Sequence, residues 1–194
     1  LYDQLGTTIW EKDYLEFARR LVEKLIKART ITSIKPGKMP VLFAPSGTLA
    51  LGLPLSEGLN GKEVYKGTSP IAKKVGEKLF DEKITVIDDG TIDGKFASAC
   101  YDDEGVPRRR NVLVEKGVLK GFIYDLKTAA QSGVESTGNA SRGLFNPPSP
   151  SPTNFIIQPG ESALKDMLAG IDEGILVEDL LGIGQGNIIS GAFS

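Results

Sequence analysis

The stretch RNVLVEKGVLKGFIYD, residues 110–125, decides the fold class. Two short runs rich in Val, Leu, Ile and aromatic residues flank the tripeptide EKG at 115–117. A pair of such runs around a Gly-containing connection reads as a β-hairpin. The same texture extends in both directions: ITVIDDG (84–90), KFASACYDDEG (95–105), TNFIIQPG (153–160), GILVEDLLGIG (174–184) and NIISG (187–191). DDG and DDEG, like EKG, have the composition of tight connections between strands. A largely antiparallel sheet is therefore expected beyond Lys83.

Helical signals are brief in this region. LKTAAQSG (126–133) is one, and ESALKDMLAGI (161–171) places Leu164, Met167, Leu168 and Ile171 on one face. In SPIAKKVGEKLF (69–80), Ser69 stands as an N-cap and Pro70 at the first helical position, so a short helix is expected. Near the start, WEKDYLEFARRLVEKLIKAR (10–29) spaces Tyr14, Phe17, Leu21 and Leu25 three and four apart. That is a long amphipathic helix, expected to pack on its own domain. VLFAP (41–45) reads as a short buried strand. SGTLALGLPLSEGLNG (46–61) is ambiguous, because its leucines alternate like a strand while Ser46 suits a helix cap. GLFNPPSPSPTN (143–154) has the proline density of an extended surface loop. The class is α+β: a β-rich C-terminal domain with a mostly antiparallel sheet and a few short helices, over 36–194, preceded by the amphipathic helix and a connector over 1–35.

Composition excludes several function classes. Of 194 residues, 23 are Lys or Arg and 25 Asp or Glu, so the net charge of −2 offers no electrostatic reason to expect nucleic acid or anionic membrane as a partner. No apolar run approaches the roughly 20 residues that span a bilayer. The single cysteine, Cys100, cannot form an intrachain disulfide and fits a reducing, cytoplasmic compartment. The chain opens at Leu1 without Met, which suggests a piece of something longer. It contains no histidine. Ser-His-Asp triads, Cys-His pairs and His-based zinc sites are thus outside the reach of these residues.

Two charge clusters remain. Asp88, Asp89 and Asp93, with Asp102, Asp103 and Glu104, could gather around a hard cation and support a stand-alone hydrolase. The alternative, taken here, is that both sets sit at strand ends as turn residues with carboxylates facing water. Arg108, Arg109 and Arg110 enter the next strand, where alternation puts Arg109 opposite the other two. They are expected to neutralise the DDE turn across a hairpin. Cys100 is expected to be a buried structural thiol. GIGQGN (182–187) is expected to be a bulged hairpin rather than a phosphate loop, since no helix follows it. A non-enzymatic interaction module that displays the first helix is the third open class.

DDGTIDG, CYDDEGVPRR, LVEKGVLKGFIYD, TAAQSGVESTGNASR, PSPTNFIIQPGE and the closing GILVEDLLGIGQGNIISGAFS, in that order, resemble the C-terminal domain of the TldD/PmbA family. Members of that family are described as modulators of DNA gyrase and as metalloprotease subunits. TldD-type chains carry HExxxH on a helix before the DDGT strand. Histidines four apart on a helix grip one Zn²⁺, with the Glu as base for its water. Here the corresponding stretch is TLALGLPLSE, 48–57, without His. That absence and PSPTN (150–154) place the chain on the PmbA, or TldE, side. The resemblance implies no cofactor in this chain and zinc in a TldD-like partner, with which it, or a second copy of itself, forms a dimer acting on peptides. It implies no catalytic residue and no metal ligand here. Thr137, Asn139 and Arg142 in TGNASR, with Thr153 and Asn154, are the residues it suggests for hydrogen-bonding an extended peptide main chain. In the family the strand pair beside the arginines borders the cleft, which implies that one of them meets a substrate carboxylate or backbone.

Overall fold

A computed structural model describes residues 13–180. Its centre is the hairpin expected from RNVLVEKGVL: β3 (Arg110–Glu115) and β4 (Val118–Leu119) pair antiparallel with Val114 opposite Leu119. Lys116 and Gly117 take φ of 47° and 80°, the left-handed values that a two-residue connection matching the strand twist requires. Gly117 is needed for a second reason, since a Cβ there would overlap the Phe80 carbonyl oxygen. β2 (Val86–Asp89) lies between β3 and β7 (Phe155–Ile157), both antiparallel to it, giving the order β4-β3-β2-β7. As the strand enclosed on both sides, β2 is buried along its whole length.

The core lies on one face of this sheet. Val86, Leu113, Val114 and Leu119 meet Leu59 and the segment Phe122–Tyr124, where the Phe122 and Tyr124 rings pack edge to face at 6.4 Å. Leu59 caps α2 (Leu49–Gly58), so the ambiguous leucine-rich stretch is a helix, with Pro54 inside it. Proline costs a helix one hydrogen bond, yet Leu55 and Leu59 reach the core from the following turn, and tertiary burial overrides the local penalty. α3 (Gly61–Lys66) follows at once, its N-cap Asn60 accepting from the Lys62 amide. α4 (Leu126–Ser132) begins at a capping box in which the Asp125 carboxylate and the Thr128 hydroxyl each take the other residue's backbone N–H. β5 (Ala140–Ser141) pairs with β6 (Ser149–Pro150) inside the proline-rich stretch. α5 (Leu164–Ala169) precedes β8 (Ile175–Val177), which pairs parallel with β1 (Val41–Phe43). The class is α+β, with an antiparallel central sheet and several short helices.

Four expectations are corrected. Residues 69–80 are successive turns and not a helix: the Ser69 hydroxyl donates to the Gly58 carbonyl, Gly76 takes φ +89°, and Gly76 and Lys78 then line the β4 edge. KFASAC is irregular, with one turn at Phe96 and Ala97, and only Tyr101 after it bridges, to Pro107. DDG is not a tight connection, because Asp88 and Asp89 lie within β2 and its antiparallel partner starts at Arg110. The amphipathic helix is present as α1 (Tyr14–Lys27), N-capped by Asp13. Its apolar stripe is not packed as expected: Tyr14, Leu15, Val22, Leu25 and Ile26 are each more than half exposed among the described residues. GIGQGN and NIISG lie outside the described residues.

Candidate functional site

The first Asp of DDG anchors the region where the motifs meet. Asp88 is fully buried and cross-strand from Asn111. Its carboxylate accepts from the Asn139 side-chain amide at 2.6 Å, the Thr153 backbone N–H at 2.6 Å and the Thr153 hydroxyl at 2.9 Å. Asn139 is itself saturated, since its amide also donates to the Ser151 carbonyl and its carbonyl oxygen accepts from Asn111. Asn154 donates to the Asp89 carbonyl at 2.7 Å and to Ser98 Oγ at 2.9 Å. TGNASR, DDGT and PSPTN, far apart in sequence, thus form one buried polar knot. A buried carboxylate is stable only with such a set of donors.

The DDEG turn is built the same way. Asp102 is buried: Oδ1 accepts from the Glu104 and Val106 amides and Oδ2 from the Ala140 amide. Asp103 accepts from the Arg142 amide and Glu104 from the Leu126 amide, at 2.8 and 2.7 Å. It is a turn, as expected, with Gly105 at φ +79°. The expectation that both acidic sets face water fails for Asp88, Asp89 and Asp102, whose oxygens order neighbouring backbone instead. Among the described residues no three His, Cys, Asp or Glu side chains converge as metal ligands.

Nor do the arginines neutralise the acidic turn. Arg109 donates to the Ser136 carbonyl, and Arg108 Nη1 donates to the Gly138 carbonyl at 3.3 Å. They clamp the loop that leads into TGNASR. Gly138 takes φ +73°, and a Cβ there would lie 2.5 Å from the Pro107 carbonyl oxygen, so the loop can approach the arginines only with glycine. Two open clefts adjoin this clamp. One, of about 560 Å³, lies between Val106–Arg109 and the α4 residues Leu126, Ala129 and Ala130. The other, of about 440 Å³, lies between the Gly90–Lys95 loop and Ser98–Cys100. Arg108 lines both. Cys100 is exposed and not the buried thiol expected, because its segment is not a strand facing the core.

The five residues suggested for peptide contact therefore divide. Thr137, Asn139, Thr153 and Asn154 are brought together, and their side chains are hydrogen-bonded within the chain: the Thr137 hydroxyl accepts from the Tyr124 amide at 2.7 Å. Arg142 is exposed nearby, held through its backbone. Sequence reasoning missed Asn111, which donates to the Thr137 carbonyl at 3.1 Å and to Asn139. Its partners are 26 and 28 residues away, a relation that no local pattern encodes.

The description PmbA/TldA metallopeptidase C-terminal domain matches residues 36–194. An uncharacterised protein of Methanocaldococcus jannaschii is 41% identical over 144 residues, covering 74% of this chain and 34% of that protein. The metalloprotease TldD homolog of Haemophilus influenzae is 34% identical over 180 residues, covering 91% of this chain and 37% of the homolog. Among solved structures, TldE from Thermococcus kodakarensis superposes with a TM-score of 0.79 at 35% identity, over 88% of this chain and 39% of TldE. The chain spans about a third of the length of the curated relatives it matches. With the ordered motifs, the antiparallel sheet and this likeness in agreement, the chain belongs to the PmbA/TldD metallopeptidase family and carries its C-terminal domain.

Proposed function

We propose that this chain is a PmbA (TldE)-like subunit of a cytoplasmic metallopeptidase assembly acting on peptides or unfolded segments, and that it lacks the zinc site itself. The observation that carries the reading is the content of α2. The helix where the resemblance places HExxxH is built of Leu, Ala, Gly and Pro, with Ser56 and Glu57 as its only polar side chains. The residues present do not fit zinc, which needs at least three well-placed N, S or O donors. A TldD-like chain, or a second copy of this one, is then the dimer partner, and a TldD-like partner brings the metal that activates water. What this chain contributes is shape and hydrogen bonding: a rigid polar knot that sets the loops 136–142 and 150–154 along one border, with Arg142 exposed. The side-chain amides of Asn139 and Asn154 and most of the backbone of these loops are spent within the chain, so the exposed Arg142 side chain is the group they leave open to a peptide. The single cysteine supports the reducing compartment.

Metal content and association test this reading. The chain, dialysed against a weak chelator, is expected to retain no stoichiometric zinc and to co-elute with an HExxxH-bearing TldD-like subunit that does. Tight zinc on the isolated chain contradicts the reading.

A further inference from the structure

A third cleft, of about 250 Å³, opens between α3, α4 and the segment 147–149. The two helices pack side by side, and their spacing puts Lys62, Tyr65 and Lys66 on one face of α3 and Lys127 and Gln131 on one face of α4. Three lysines therefore line the cleft against one acid, Asp125. That acid is 1% exposed, and its carboxylate is spent on the Thr128 amide and hydroxyl inside the α4 cap. Lys66 is held by Glu63 at 3.0 Å, whereas Lys62 and Lys127 form no salt bridge among the described residues. The clefts beside Arg108 differ, since each sets two bases against an exposed acid, Glu135 or Asp93. Like charges four apart on a helix, as at Lys62 and Lys66, repel, and Lys127 brings a third to the same place. Folding gains nothing from this gathering, and an anion relieves it.

From this we infer that the cleft between α3 and α4 is a binding site for a phosphate group, free or carried as a monoester, with Lys62 and Lys127 as its anchors. The Tyr65 hydroxyl, the Gln131 amide and the Ser149 hydroxyl line it beside the ammonium groups, and each can donate a hydrogen bond. Apart from that of Lys66, none of these side chains is hydrogen-bonded within the chain among the described residues. A phosphate monoester carries close to two charges and three acceptor oxygens at neutral pH, so it satisfies donors that approach from several sides. Lysine recognises phosphate as a point charge, whereas a carboxylate is best clasped by the planar fork of an arginine, and no arginine lines this cleft. The volume is below the usual range of small-molecule sites, so the cleft takes one phosphate group and the first atoms of whatever carries it. Tyr65, more than half exposed, and Pro147 supply an apolar rim for those atoms. The inference stands independently of the proposed handling of peptides.

Calorimetry on the chain tests the site, with phenyl phosphate, inorganic phosphate and benzoate as probes at low salt. Phenyl phosphate is expected to bind saturably, one per chain, and benzoate about tenfold more weakly or not at all. Tighter binding of phenyl phosphate than of inorganic phosphate identifies a monoester as the ligand, and equal binding identifies free phosphate. Lys62→Gln and Lys127→Gln are each expected to weaken phenyl phosphate by about tenfold, and Tyr65→Phe by about threefold. Lys95→Gln, in the cleft beside Arg108, should leave the affinity unchanged. All four positions are exposed, so these variants keep the fold. Absence of saturable phenyl phosphate binding, benzoate that binds as tightly, or an affinity that survives both Lys62→Gln and Lys127→Gln overturns the inference. Neither zinc nor association is read, so failure here is distinct from failure of the subunit assignment.

Discussion

The Asp88 carboxylate and the Asn139 side-chain amide meet at 2.6 Å across 51 residues of sequence, both almost wholly buried. This contact ties DDGT to TGNASR, and Thr153 brings PSPTN to the same carboxylate. Asn139→Ala removes a donor from a buried charge, and is expected to cost about 2–4 kcal/mol in denaturant unfolding. Arg142→Ala, on an exposed side chain, should stay within about 0.5 kcal/mol. Similar losses for the two would remove the knot from its central place in the fold.

The β3–β4 connection gives a second prediction. Gly117→Ala combines a left-handed φ with overlap on the Phe80 carbonyl and should destabilise by more than about 1 kcal/mol. Lys116→Gly, at φ 47°, relieves a position that a long side chain tolerates poorly and should be neutral or stabilising by a few tenths of a kcal/mol. Paired unfolding curves are expected to show destabilisation by Gly117→Ala and none by Lys116→Gly.

Acid and alkaline stability should depend on two groups. The Thr68 hydroxyl and then Lys66 hold the Glu63 carboxyl below its ordinary 4.5, so its contribution is present above that value and is lost as pH falls through the folded pKa. Glu63→Gln should flatten stability against pH on the acid side. Burial pushes the Tyr124 hydroxyl above its ordinary 10.0, so its contribution is present below that pH and is lost as pH rises through the folded value. Tyr124→Phe should flatten the alkaline side. Unchanged profiles in both variants would contradict these assignments.

The sequence displayed what is local and concealed what is not. The EKG hairpin, the LKTAAQSG helix and the β2 and β7 runs follow from turn chemistry and local composition, and all stand in the structure. Residues 69–80 read as a helix because Ser69-Pro70 is a strong start signal. Its hydroxyl is drawn instead to Gly58, 11 residues back, a tertiary contact that no window reveals. DDG and DDEG read as exposed turns because acids seldom lie buried. Their burial depends on donors from Asn139, Thr153 and Ala140, between 38 and 65 residues distant. Arg108 reads, with its neighbours, as a partner of the acidic turn, whereas its contacts are with Gly138, 30 residues on, and with Gly90.

Hydrolysis by the assembled pair tests the account most directly. An unfolded peptide is mixed with this chain, with a TldD-like HExxxH subunit, with both, and with both after the HExxxH glutamate of the TldD-like subunit is changed to glutamine. Cleavage is expected only from the intact pair, and a chelator should stop it, because this chain supplies surface and its partner supplies the activated water. Cleavage by this chain alone that survives chelation would return the chemistry to these residues and contradict the account.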